Sequence, residues 1–306
     1  MTPGLHVTSD DRVVAAWLKD WLASTRLAPP AALELDVRVV DTLDAGEGDE
    51  REPFRQPLLE IRSGPPQHDL RIRYLGAPAR AVVPAGALKA AVEVSVEALG
   101  DRELLARSFF MTVVIFLLRR AGWHHVHAAT AVDPQGRGWL FAGNAQSGKS
   151  TTAALLASWG WAVGADDAAF ATRAGGGVDV VAERAAIGLR PDGFALLGLA
   201  GGMSSRGGRK VEFFPEDLGG KWVQRVTPAI LVLPRVGEGR TRGEPARPRE
   251  ALAELVRWSG WVALEPALAQ EHLDLLGALA RQVRTYRVTL GRDLFRNPQF
   301  FTELVA

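Results

Sequence analysis

Gly143-Asn144-Ala145-Gln146-Ser147-Gly148-Lys149-Ser150 satisfies every fixed position of G-x-x-x-x-G-K-[ST], and the apolar run Trp139-Leu140-Phe141-Ala142 precedes it. A loop of this kind must leave a strand and open a helix, so the motif constrains the fold before any other segment is considered. Its glycines let several backbone N–H groups converge on one anion, and the helix beginning near Ser150 adds its positive end. The pattern therefore predicts a nucleoside triphosphate site spanning Gly143 to Thr151, with Lys149 reaching the β- and γ-phosphates and the Ser150 hydroxyl ligating Mg²⁺. The competing reading is a glycine-rich strand-to-helix turn that binds nothing. Coincident strand, loop and helix signals favour the ligand site.

A chain of 306 residues, 47% hydrophobic and 23% charged, has the composition of a soluble globular protein and is long enough for two cores. Its net charge of +1 gives no reason to expect nucleic acid or an anionic membrane as partner. With no cysteine, disulfides, thiolate catalysis and cysteine-ligated zinc drop out, and a cytoplasmic setting is expected. The opening Met1-Thr2-Pro3-Gly4-Leu5-His6 lacks the basic and apolar regions of a secretory signal. Phe109 to Leu118 is too short for a membrane span and is bracketed by Arg107, Arg119 and Arg120, so it reads as a buried helix.

Periodicity divides the chain into an N-terminal α+β part, residues 1–100, and an α/β part, residues 101–306, with the boundary near Gly100-Asp101. In the first part, Asp10 to Leu22 has helical spacing, while Leu33 to Val40, Pro57 to Ile61 and Leu70 to Leu75 alternate as strands. The acidic stretch Asp41 to Glu52 reads as a solvated loop. A helix from about Arg102 to Gly122 is expected to open the second part, with Leu104, Leu105, Phe109, Val113, Phe116 and Leu117 on one stripe.

Beyond the loop, Ser150 to Trp159 is helical in pattern, and Trp161 to Ala165 reads as a strand delivering Asp166 and Asp167, 17 and 18 residues past Lys149. One helix plus one strand can place that strand beside the first and bring both acids to the phosphate end of the sheet. One carboxylate could hold Mg²⁺ and the other accept a proton from an attacking hydroxyl. Aspartates at a strand end are also common in plain turns. Their interval from the loop favours the chemical role.

The succession of His127-Ala128-Ala129-Thr130-Ala131-Val132, the strand at Trp139, the loop through Thr151, and Gly160-Trp161-Ala162-Val163-Gly164-Ala165-Asp166-Asp167 resembles the catalytic core of the HPr kinase/phosphorylase family. That family shares its nucleotide-binding fold with ATP-dependent phosphoenolpyruvate carboxykinase and includes kinase-like members associated with peptide biosynthesis. The resemblance spans roughly residues 102 to 290, with specific motifs in about 40 of them. It implies a mixed-sheet α/β kinase domain, ATP and Mg²⁺ as cofactors, His127 near the transferred phosphate, and the aspartate pair as metal ligand and base. The family's downstream signature segment and regulatory domain have no recognisable counterpart here.

Trp123, His125 and His127 share one face of a strand pattern, with His124 on the other. A histidine in an apolar strand is commonly structural, the role assigned to His124 and His125; the position of His127 relative to Gly143 argues for a part in the site. Ala168 to Arg173 and Val178 to Ala182 flank Gly175-Gly176-Gly177 as a hairpin. Gly198 to Lys210 holds five glycines with Arg206, Arg209 and Lys210, which suits either a loop closing cations over phosphate or a basic surface loop. Arg235 to Arg249 carries five arginines with Glu238 and Glu244 and reads as a solvated connection.

These readings converge on a phosphotransferase in which Asp167 is the base, Asp166 and Ser150 hold the metal, and Lys149 and His127 attend the phosphate. Triphosphate contacts come from Gly143 to Thr151 with Arg209 and Lys210. The acceptor is a hydroxyl of a peptide, protein or small molecule, recognised by residues 1–100 and the Gly198 to Lys210 loop; homo-oligomerisation stays open. The alternatives are a small-metabolite kinase of the shikimate or gluconate type, which usually carries Asp-x-Asp and starts at its phosphate loop, and a nucleotide-binding regulator without transfer. Adjacent aspartates and 142 residues before Gly143 argue against the first. Retention of Lys149, Ser150 and both acids argues against the second.

Overall fold

The computed structural model describes residues 2–43, 51–64, 69–184, 186–198 and 210–305. It forms two compact units, residues 1–124 with 261–272, and residues 125–260 with 273–306. The first unit thus runs past Gly100-Asp101 and includes the long apolar helix. Most of the acidic stretch within Asp41 to Glu52, and all but the ends of the Gly198 to Lys210 segment, lie outside the described residues.

In the first unit, β1 (Gly4–Ser9), α1 (Arg12–Thr25), β2 (Ala32–Val40), β3 (Phe54–Gln56), β4 (Leu59–Arg62), β5 (Leu70–Tyr74), β6 (Ala79–Val83) and β7 (Lys89–Ser95) build a seven-stranded sheet. Its order is β1-β2-β7-β6-β5-β4-β3, parallel across β1, β2 and β7 and antiparallel beyond. The alternation in β5, with Leu70, Ile72 and Tyr74 buried and the arginines between them exposed, is what one covered face requires. Pro57-Leu58 forms the turn between β3 and β4 rather than the start of one strand, since proline cannot donate to a ladder. Asp11 caps α1 by accepting from the Val13 and Val14 amides at 2.7 and 3.0 Å.

The expected helix after Asp101 comprises α2 (Arg102–Leu105), a π-helical turn over Ala106–Phe110, and α3 (Met111–Arg120). Phe109 packs on Tyr74, and Phe110 on Trp17 and Trp21, at centroid separations of 5.9 to 6.3 Å. Arg119, 1% exposed, donates to the Val262 carbonyl at 2.9 Å, and Arg120 pairs with Glu265 at 2.7 Å. These buried charges tie residues 261–272 to the helix, because an unpaired ion there would be costly.

The second unit carries β8 (His124–Val126), β9 (Ala128–Val132), β10 (Gly138–Ala142), α4 (Lys149–Ser158), β11 (Ala162–Val163), β12 (Ala169–Ala174), β13 (Gly177–Ala182), β14 (Ile187–Leu189) and α5 (Pro191–Leu196). It continues through β15 (Val211–Phe213), β16 (Lys221–Trp222), β17 (Arg225–Val226), β18 (Pro228–Val236), β19 (Arg242–Ala246), α6 (Pro248–Arg257), the part of α7 (Pro266–Gln282) beyond His272, β20 (Arg284–Leu290) and α8 (Phe300–Leu304). The main sheet is mixed, in the order β16-β11-β9-β10-β18-β20-β19. Strands β10, β18 and β20 are parallel, whereas β9 is antiparallel to both β10 and β11. Trp139, Phe141, Trp161 and Phe301 form its aromatic centre.

Two expectations need correction. The strand carrying the aspartate pair does not lie beside β10: β9, the strand that follows His127, is inserted between them. Arg235 to Arg249, expected as a solvated connection, is solvated but carries regular structure, since β19 adds to β20 as the sheet's edge. Its burial pattern is largely exposed, so the edge needs no apolar face and leaves no hydrophobic alternation to read. Among the described residues, no helix is long and apolar enough to cross a membrane.

Candidate phosphate-binding site

Every residue of β10 is buried, and the chain leaves it into Gly143–Gly148 before α4 begins at Lys149. The tightness of the turn explains its glycines. Gly148 has φ 99°, and a Cβ there would stand 2.7 Å from Leu290 Cδ1; at Gly143 it would stand 2.8 Å from Ser147 Oγ. Gln146 also takes positive φ, at 69°. The side chains of Asn144, Ala145 and Gln146 are exposed, that of Ser147 is buried, and Ser150 and Thr151 are half-buried at the start of α4.

Lys149 is 5% exposed, and its ammonium donates to the Gly143 carbonyl at 2.8 Å, the Asn144 carbonyl at 3.0 Å and His127 Nε2 at 2.9 Å. Three donors meet three acceptors, which fixes the cation under the loop. Burial lowers the Lys149 pKa, an effect opposed by Asp167 and Asp166. His127 sits at the junction of β8 and β9, past the end of β8. Its pKa is also lowered, first by burial and further by Lys149 and Lys210, against the pull of Asp167. A neutral ring protonated on Nδ1 satisfies Lys149 through Nε2. Asp167 Oδ1, 3.1 Å from that nitrogen, is then held chiefly by the ammonium 3.9 Å away.

The aspartates divide in character. Asp167 is 61% exposed, whereas Asp166 is half-buried, accepting from the Ser150 hydroxyl and, at 3.2 Å, from the Gly188 amide. Burial and the Asp167 charge raise the pKa of Asp166, opposed by those hydrogen bonds and by Lys210. Thr130 fixes the pair in space: its hydroxyl accepts from Ala165 N at 2.9 Å, and its carbonyl accepts from Gly164 N at 2.9 Å. Gly164 has no room for a side chain against Thr130, Val223 and Ala182. Lys210 extends along Gly188, with its Nζ 3.6 Å from where a Cβ would stand, so the cation expected near the phosphates lies over the aspartate edge. Arg209 lies outside the described residues.

Nothing in the sequence marks Gly188, whose contribution is a backbone amide delivered by β14. Of the other histidines, His125 is buried against Phe170 and its pKa is pushed down to about 3 by burial. His124 meets Glu271 at 3.2 Å. Neither joins the cluster around Lys149.

Mg²⁺ prefers hard oxygen ligands and commonly takes only one or two from protein, the rest from phosphates and water. Ser150 and Asp166, already in contact, fit that role. Among the described residues no group of three or more His, Asp or Glu side chains that could hold a metal ion occurs.

No family model and no curated protein matches the chain. Among solved structures it is similar to the HPr(Ser) kinase/phosphatase from Coxiella burnetii, at 13% identity and a TM-score of 0.33, over 60% of this chain and 88% of that one.

Proposed function

We propose that the protein is an ATP- and Mg²⁺-dependent kinase that transfers the γ-phosphoryl group to a hydroxyl, with a serine of a peptide or protein as the acceptor class. The observation that carries this reading is the convergence of Lys149, His127 and Asp167 at the mouth of a strand–loop–helix turn, with Ser150 and Asp166 joined beside it.

Phosphoryl transfer asks a protein mainly for positioning and charge. A triphosphate wrapped by the Gly143–Thr151 amides would draw the Lys149 ammonium from the Gly143 and Asn144 carbonyls onto phosphate oxygens. Mg²⁺, held through Ser150 and Asp166, would supply charge neutralisation on those oxygens. Asp167, exposed and acceptor-only when ionised, takes the proton of the attacking hydroxyl as the oxygen–phosphorus bond forms and the bond from the γ-phosphorus to the bridging oxygen breaks, releasing ADP. His127, neutral and lined up with Lys149, orients that cation. Lys210 and Arg209 are assigned to the transferring phosphate, and residues 1–100 with the Gly198 to Lys210 segment to the acceptor.

Titration calorimetry with ATP and Mg²⁺, paired with mass spectrometry of hydroxyl-bearing peptides after incubation, tests the proposal. Lys149→Ala should weaken ATP binding and reduce transfer by at least about a hundredfold while the fold survives. Unchanged affinity would refute the site.

A further inference from the structure

The phosphate loop has two unlike flanks. On the β9 and β11 side stand His127, Asp166 and Asp167, with Lys210 near them, the groups given parts in the transfer step. On the other side, parallel strands β18 and β20 end level with the loop, and their last residues are Val236 and Leu290, partners in register. Leu290 is buried, but Val236 is 60% exposed, one of few large apolar side chains so open among the described residues. It is also seated on the loop: its Cγ2 lies 3.4 Å from where a Cβ would stand on Gly148.

The two turns that follow these strands are locked together. Gly237 N donates to the Leu290 carbonyl at 3.1 Å, Thr241 donates to Asp293 through its amide at 2.8 Å and its hydroxyl at 2.7 Å, and Gly291 N donates to Thr241 Oγ1 at 3.0 Å. Val236 is therefore an exposed apolar group on a fixed platform.

A triphosphate whose terminal phosphate faces Asp167 must direct its nucleoside away from the acids. Crossing Gly148 leads away from the acids to the carboxyl ends of β18 and β20, where ligands of parallel strands collect. We propose that Val236, at the end of β18 and against Gly148, is the floor on which the nucleobase of the bound triphosphate lies. The inference rests on the phosphate-loop reading and adds the base subsite to it. A branched aliphatic group against an aromatic ring face excludes water from both, and the platform would lose little entropy on binding.

Inorganic tripolyphosphate, which has the phosphates and no base, separates the two ideas. Calorimetry with Mg²⁺ should show Val236→Ser weakening ATP about tenfold with tripolyphosphate affinity unchanged. Val236→Ile should retain ATP binding, and Lys149→Ala should weaken both ligands. Thermal unfolding checks that the serine variant is folded, as the exposure of Val236 leads us to expect. Unchanged ATP affinity in Val236→Ser, or an equal loss for both ligands, overturns the base subsite and leaves the phosphate loop standing. Wild-type protein that binds neither ligand removes the phosphate-loop reading and this inference with it.

Discussion

Adjacent aspartates with unlike surroundings should respond differently to the same substitution. Asp166 is tied to Ser150 and to the Gly188 amide, so Asp166→Asn should weaken both Mg²⁺ dependence and ATP binding. Asp167 is open to solvent beside Lys149, so Asp167→Asn should retain ATP affinity and lose transfer by about a hundredfold or more. Wild-type transfer rates in both variants would contradict the assignment. A third prediction concerns His125, whose pKa of about 3 in the fold compares with 6.5 for the free ring. Between those values the unfolded chain binds a proton that the folded chain does not. The ring's contribution is thus complete above about pH 6.5 and is lost as pH falls toward 3, with a slope approaching about 1.4 kcal/mol per pH unit. His125→Gln carries no such titration, and denaturant unfolding from pH 7 to pH 4 should show a shallower loss of stability. Parallel profiles would show that the ring is not buried as described.

At the level of strands and turns, the Gly143–Gly148 loop depends on one backbone conformation. Gly148→Ala would force a side chain into left-handed φ and within 2.7 Å of Leu290 Cδ1. We expect it to cost about 1 kcal/mol or more and to lower triphosphate affinity. Adding Leu290→Ala should relieve the crowding without restoring affinity, since the backbone preference remains; full recovery in calorimetry would trace the defect to sterics alone. That strand, loop and helix were readable from the sequence because the glycines, the lysine and the flanking apolar run all serve one local geometry. The β12–β13 hairpin was readable for the same reason: Gly175 and Gly176 both take positive φ. What local pattern does not carry is long-range pairing. The insertion of β9 between β10 and β11 follows from which strand meets which across the sheet, and β19, with arginine, glutamate and proline in an exposed edge, has no period for sequence reasoning to find. Gly188 escaped notice because its amide, and no side chain, reaches Asp166.

For the molecule as a whole, the two units are not two consecutive stretches of chain, and this alters how acceptor recognition should be tested. A cut near Asp101 is the natural choice from periodicity. It would strip Phe109, Phe110, Val113, Val114, Phe116 and Leu117, each fully buried, of the sheet and the α1 aromatics that cover them. Fully burying side chains of these types is worth roughly 1.5–3 kcal/mol each, so their loss would exceed the stability of most domains. We therefore expect a chain beginning at residue 101 to aggregate or to expose apolar surface to a hydrophobic dye, and its failure to phosphorylate anything would say nothing about recognition. Substitution of exposed residues on the first unit in the full-length protein is the informative alternative. If residues 1–100 recognise the acceptor, changes at exposed positions such as Val13, Leu75 or Val96 should raise KM for the acceptor in at least one case, with ATP affinity and unfolding temperature unchanged. Acceptor kinetics indifferent to every such change would move recognition to the second unit. A soluble, folded and fully active chain lacking residues 1–100 would show that the helix after Asp101 does not need the sheet it packs on.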